Sequence, residues 1–106
     1  MELTSKQRAQ LRTLANGIET ILTIGKDGIS DNLVKQCRDA LEARELVKGK
    51  VLENSEYDAR SACAELCERT AACPVQVIGS KFVLYRPSHR KDKKDKIVLT
   101  DKGGRK

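Results

Sequence analysis

Val75-Gln76-Val77-Ile78-Gly79-Ser80-Lys81-Phe82-Val83-Leu84-Tyr85 is the stretch on which the reading of the fold turns. Two short runs of β-branched, aliphatic and aromatic residues flank Gly79-Ser80, and a two-residue Gly-X link between such runs signals a tight hairpin. Strands are therefore expected over 75–78 and 81–85, with Pro74 closing whatever precedes them. Moving outward toward the N-terminus, Ala59, Ala62, Cys63, Leu66 and Cys67 recur at helical spacing. This predicts a helix starting near Ser55, with Asp58 completing a capping pattern. Before it, Leu46–Leu52 reads as a strand, and Gly49 inside that strand suggests a bulge or a close backbone approach.

Further out, Ser30 is a good N-cap for a helix running to about residue 44, whose stripe is Leu33, Val34, Cys37, Ala40 and Leu41. Residues 19–24 (ETILTI) read as a short strand ending at Gly25. Thr4 and Gln7 form a capping box for a first helix over about 4–16, stopped by Asn16-Gly17. The order is α-β-α-β-α-β-β, an α/β two-layer sandwich with helices packed on a four-stranded mixed sheet. Residues 1–87 are expected to form one domain. Residues 88–106 are expected to be a basic tail, disordered when free and dispensable for folding, in which only Ile97-Val98-Leu99 could dock on a sheet edge.

Charge is distributed unevenly. Residues 1–85 carry twelve Lys/Arg against twelve Asp/Glu, whereas residues 86–106 carry nine against three, so the tail holds the whole net charge of +6. Such a polyelectrolyte segment suits a polyanion partner, although it also serves solubility. Aromatic residues are only 3% of the chain, namely Tyr57, Phe82 and Tyr85. A protein that reads unstacked bases needs aromatic platforms, so any RNA bound here is gripped through backbone and shape. No apolar run reaches the ~20 residues of a membrane span, and Met1-Glu2-Leu3-Thr4 lacks a signal-peptide layout. A cytoplasmic location with reduced cysteines is expected.

Gly25-Lys26-Asp27-Gly28 is the most informative local feature, lying between a strand end and a helix start. Glycines there allow positive φ and close approach of a phosphate to the amides and dipole of the helix N-terminus. Lys26 adds a point charge, and Asp27 and Asp31 oppose it. The same four residues also suit an ordinary turn. Other candidate contacts are Lys6, Arg8 and Arg12 on the first helix, Lys35 and Arg38 on the second, Lys48 and Lys50 on the following strand, and Lys81 and Arg86 at the limits of the last strand. Cys37, Cys63, Cys67 and Cys73 lack the paired spacing of zinc knuckles and are read as buried thiols. His89 has no partner pattern, and no nucleophile or carboxylate pair has catalytic surroundings. No enzyme activity, cofactor, metal or small-molecule substrate is expected.

Four segments carry a resemblance that spans about residues 2–87. They are Leu3-Thr4-Ser5-Lys6-Gln7-Arg8, Ile24-Gly25-Lys26-Asp27-Gly28-Ile29-Ser30, Ala40-Leu41-Glu42-Ala43-Arg44-Glu45-Leu46-Val47-Lys48 and Val75–Pro87. The chain resembles the bacterial YhbY family, stand-alone members of the chloroplast RNA splicing and ribosome maturation (CRM) domain group. The resemblance implies a fold like the C-terminal domain of translation initiation factor three. It also implies RNA binding through the GxxG loop (here Gly25, Lys26 and Gly28) and association with large-subunit precursors during ribosome biogenesis. Asp27 stands where many relatives have Gly, Ala71 where Gly is frequent, and Ser80 where a basic residue is frequent. A monomer bound to ribosomal RNA is the expectation. A DNA-binding regulator using helix 30–44 and the 79–81 hairpin, or a protein-interaction module, are the competing readings.

Overall fold

Each helix begins at the residue whose side chain can accept from its own first turn. The computed structural model describes residues 3–88 and 97. Thr4 accepts from the Gln7 amide at 3.1 Å while Gln7 returns the bond to the Thr4 amide at 3.0 Å, starting α1 (Ser5–Ala15). β1 (Thr20–Ile24) follows, then α2 (Asp31–Arg44), capped by Ser30 Oγ on the Leu33 amide at 3.1 Å. β2 is Leu46–Val51, α3 Ala59–Thr70, β3 Cys73–Ile78 and β4 Lys81–Tyr85. α3 starts later than its pattern suggested. Asp58 is the cap, exchanging bonds with Ser61, and Ser55 Oγ instead accepts from the Tyr57 amide in the preceding turn.

The sheet order is β1-β2-β4-β3, with β1 parallel to β2 through the α2 crossover and the other pairs antiparallel. β3 begins at Cys73 and includes Pro74, which is compatible with an edge strand because the missing amide need not pair. A register shift beside Pro74 further interrupts that edge. On the other edge, β1 shifts register between Thr20 and Leu22, and the Gln36 side chain donates to the Ile21 carbonyl at 3.4 Å.

Side chains alternate between two clusters on opposite faces of the sheet. Leu22, Ile24, Val47, Val51, Phe82 and Leu84 pack under α2 and α3. Leu46, Cys73, Val75, Val83 and Tyr85 pack under Leu11 and Ala15 of α1. The expected α/β order and mixed sheet are observed, and α1 adds a partial third layer on the face opposite α2 and α3. Gly49 is a close approach rather than a bulge: a Cβ there would lie 2.4 Å from Phe82 Cζ, the residue directly opposite on β4.

At the end of the sheet where β2 begins, the chain buries charge. Arg86 is 8% exposed; its Nη2 donates to Glu42 Oε2 at 2.6 Å and its Nη1 to the Thr70 carbonyl at 3.0 Å. Glu45 is fully buried at φ 67°, a left-handed conformation. Its carboxylate accepts from the Ser88 amide at 2.5 Å and the Ile97 amide at 2.7 Å, and its carbonyl accepts from the Arg86 amide at 2.9 Å. Ser88 and Ile97, from the segment expected to be a tail, thus satisfy a buried carboxylate of the domain. Ile97 packs beside the α1 cluster, on a face of the sheet rather than the edge expected for the 97–99 triplet, and Val98 and Leu99 lie outside the described residues. The remaining tail residues, 89–96 and 98–106, lie outside the described residues, and with them the expectation of disorder.

Candidate nucleic-acid interface

The opposite end of the sheet gathers the chain's glycine turns. Gly25 follows β1 directly, and the Gly28 amide donates to the Gly25 carbonyl at 3.0 Å, closing Gly25-Lys26-Asp27-Gly28 as a tight turn. Gly28 has φ 69° and a Cβ there would meet Tyr57 Cε1 at 3.1 Å, so both conformation and space disfavour a side chain. Gly25 is less constrained: an added Cβ would make ordinary contacts with Leu52 and Asn54 at 3.6 and 3.7 Å. Tyr57, which the sequence did not single out, thus forms the back of the loop. Its hydroxyl donates to Glu65 at 2.9 Å, and that bond raises its pKa.

Lys26 and Asp27 are exposed at the loop tip. Ser30 caps the Leu33 amide, which leaves Asp31 and Asn32 as the first-turn amides of α2 that neither the cap side chain nor the helix ladder uses. The acidic surroundings are real: Asp31 opens α2, and Glu53, Glu56 and Asp58 are exposed in the segments after β2. Asp58 is held ionised below the usual carboxylate range by the Ser61 amide and hydroxyl. The loop is therefore a mixed site, in which the amides and Lys26 must compete with neighbouring carboxylates.

The structure separates the remaining candidates into three groups. Lys6 and Arg12 are exposed on α1, and Arg8 Nε donates to the Pro74 carbonyl at 3.3 Å on the β3 edge. Lys35 and Arg38 lie on α2, across the sheet from α1. Both are engaged, Lys35 with Asp39 at 3.1 Å and Arg38 with the Arg69 carbonyl at 3.5 Å. Lys48, Lys50 and Lys81 share the α1 face of the sheet, the last two directly paired across β2 and β4. Arg86 is a correction. Its guanidinium is buried against Glu42 and Thr70 and cannot face a ligand without breaking that end of the fold.

The four cysteines are buried free thiols, with Cys63 and Cys67 on the inward stripe of α3 as their spacing suggested. Burial pushes the Cys37 pKa up to about 11, and Cys67 is raised by the bond to Cys63 and by burial. Among the described residues no group of His, Cys, Asp and Glu is placed to hold a metal ion, and no helix is long and apolar enough to cross a membrane.

Residues 3–86 match the family model described as the CRS1 / YhbY (CRM) domain. The chain is 43% identical over 86 residues to the "Probable RNA-binding protein YqeI" of Bacillus subtilis, covering 81% of this chain and 90% of that one. It is 31% identical over 86 residues to a Haemophilus influenzae protein named "RNA-binding protein", covering 81% and 87% respectively. The solution structure of the Staphylococcus aureus protein SAV1595, described as an RNA-binding candidate, superposes with a TM-score of 0.71 at 46% identity, over 86% of this chain and 95% of that one.

Proposed function

The chain belongs to the CRS1/YhbY (CRM) domain family, and from that premise we propose that it binds ribosomal RNA of large-subunit precursors through its Gly25–Gly28 loop. It acts as a cytoplasmic, monomeric assembly factor without catalysis. The observation that carries the reading is the positive-φ Gly28 pressed against Tyr57, which turns the chain into the N-terminus of α2 with Lys26 at the tip. Backbone amides and one lysine can hold a phosphate there, and nothing in the loop reads a base. The relatives' printed names support RNA as the partner.

The DNA-regulator reading is the less favoured one. A recognition helix reads base edges with its outward side chains, and on α2 Lys35, Gln36 and Arg38 each already direct one donor to a partner within the fold.

Binding of the full chain to large-subunit ribosomal RNA should weaken steeply with salt, and duplex DNA should compete poorly. Lys26→Ala should lower the salt slope by about 0.7–0.9, the value of one phosphate contact. Asp27→Gly should tighten binding by removing a like charge. Equal slopes for wild type and Lys26→Ala would remove the loop from the interface. Sedimentation of the protein with precursors of the large subunit, rather than at the top of the gradient, tests the ribosomal assignment.

A further inference from the structure

α1 covers only part of its face of the sheet, and the part it leaves bare is cationic. The strand registers set Thr23, Lys50, Lys81 and Ile78 side by side across all four strands on that face. Lys48, two residues before Lys50, lines a shallow groove of about 140 Å³ with Gln76 and Lys81, walled by Asn16 at the end of α1. Lys50 and Lys81 are directly opposed, and like charges in that position destabilise an antiparallel pair. None of the three lysines has an ion-pair partner among the described residues. The fold itself therefore gains nothing from this charge, while an anion laid across it relieves the repulsion.

Shape narrows the anion. Lys48 and Lys50 repeat along β2 at about 7 Å, a spacing suited to successive phosphates of a stretched strand rather than to one small ion. A helix is roughly 10 Å thick, so α1 stands as a wall beside the strip. A rigid duplex meets that wall before its phosphates reach the sheet, whereas a single strand can lie at its foot. Phe82 and Tyr85 are buried, so neither ring is offered for stacking; the exposed Ile78 on the strip, and Leu52 beside Gly25, are the apolar contacts available to a base. Thr23 is two residues from Gly25, which joins this strip to the loop without a gap.

We infer that Lys48, Lys50 and Lys81 form a second phosphate track, along which a single RNA strand continues from the Gly25–Gly28 loop toward the foot of α1. The inference rests on the RNA-binding reading above and adds the strandedness and path of the ligand. The track recognises backbone and tolerates sequence.

The test uses the full chain, a labelled twelve-nucleotide uridine RNA and a twelve-base-pair RNA duplex, each titrated at several salt concentrations. Lys50→Ala/Lys81→Ala should lower the single-strand salt slope by about 1.4, two contacts at about 0.7 each, and change duplex binding less. Lys50→Glu, which turns the like-charge pair into an opposite one, should weaken single-strand binding while holding or raising the melting temperature. An unchanged single-strand slope, or a duplex loss as large as the single-strand loss, overturns the track. If Lys26→Ala is silent while the double variant is not, the track stands and the loop reading falls. If the wild-type chain binds neither RNA, both fall.

Discussion

Where β2 begins, Arg86 and Glu45 are buried and Glu42 is half-buried. Both carboxylates and the Arg86 Nη1 and Nη2 are bonded within this group or to Thr70, Ser88 and Ile97, while Arg86 Nε is buried without a partner. Where β2 ends, Lys50 and Lys81 repel across two strands, with Lys26 exposed on the loop nearby. The first arrangement fixes the fold, because a buried charge without its partner is costly. The second stores unmatched charge at the surface, where desolvation is small and a partner from outside can still be gained. Comparing the two ends shows that a basic residue's role is set by what surrounds it, so a count of Lys and Arg cannot locate an interface.

The contrast can be broken most forcefully at the buried end. Truncation after Pro87 removes both amides from the Glu45 carboxylate, and Arg86→Ala strips Glu42 of its ion-pair partner. Each should lower unfolding stability by about 3 kcal/mol in denaturant melts. Arg86→Ala should leave the salt slope of RNA binding unchanged when measured below its melting transition. A truncated chain as stable as wild type would show that the Ser88 and Ile97 bonds are dispensable.

At the loop end a smaller effect on the fold accompanies a larger one on binding. Gly28→Val forces a β-branched residue into positive φ against Tyr57, a strain of about 1–2 kcal/mol. RNA affinity should fall on the order of tenfold, the worth of one charge-assisted bond. Binding equal to wild type would mean that the ligand does not approach Gly28.

Ala71 provides a control that belongs to neither end. It terminates α3 at φ 62°, where a Cβ is unfavourable, so Ala71→Gly should raise stability by about 1 kcal/mol with RNA binding unaltered. The smallest expected effect comes from chelator with reductant, which should leave the melting temperature where it is. Cys37, its pKa near 11, should resist alkylation at neutral pH until the chain unfolds.

These positions also mark what the sequence could disclose. The hairpin at Gly79-Ser80, the Thr4–Gln7 and Ser30 caps and the inward cysteines of α3 were legible because their causes are local. So was the special character of Gly28, whose φ is positive in the structure. Arg86 was misplaced because nothing near it in sequence announces Glu42, forty-four positions earlier. The start of α3 was misjudged because Ser55 and Asp58 are both plausible caps, and only the reciprocal bonds with Ser61 decide between them. Tyr57 behind the loop and Asn16 beside the lysine strip had no signal, since each matters only through a tertiary contact.

The Phe82 ring, occupying the space where Gly49 would carry a Cβ, has a consequence for how the surface is assembled. Sliding β4 by one position against β2 would set the ring beside a lysine stem instead of the glycine. It would also turn alternate residues over, burying Lys81 and exposing Phe82. Immersing even one ammonium group in the core is disfavoured by several kcal/mol, so a misaligned sheet rejects itself during folding. One absent methyl group thereby acts as an alignment key, deciding on which side of the sheet the protein wears its charge.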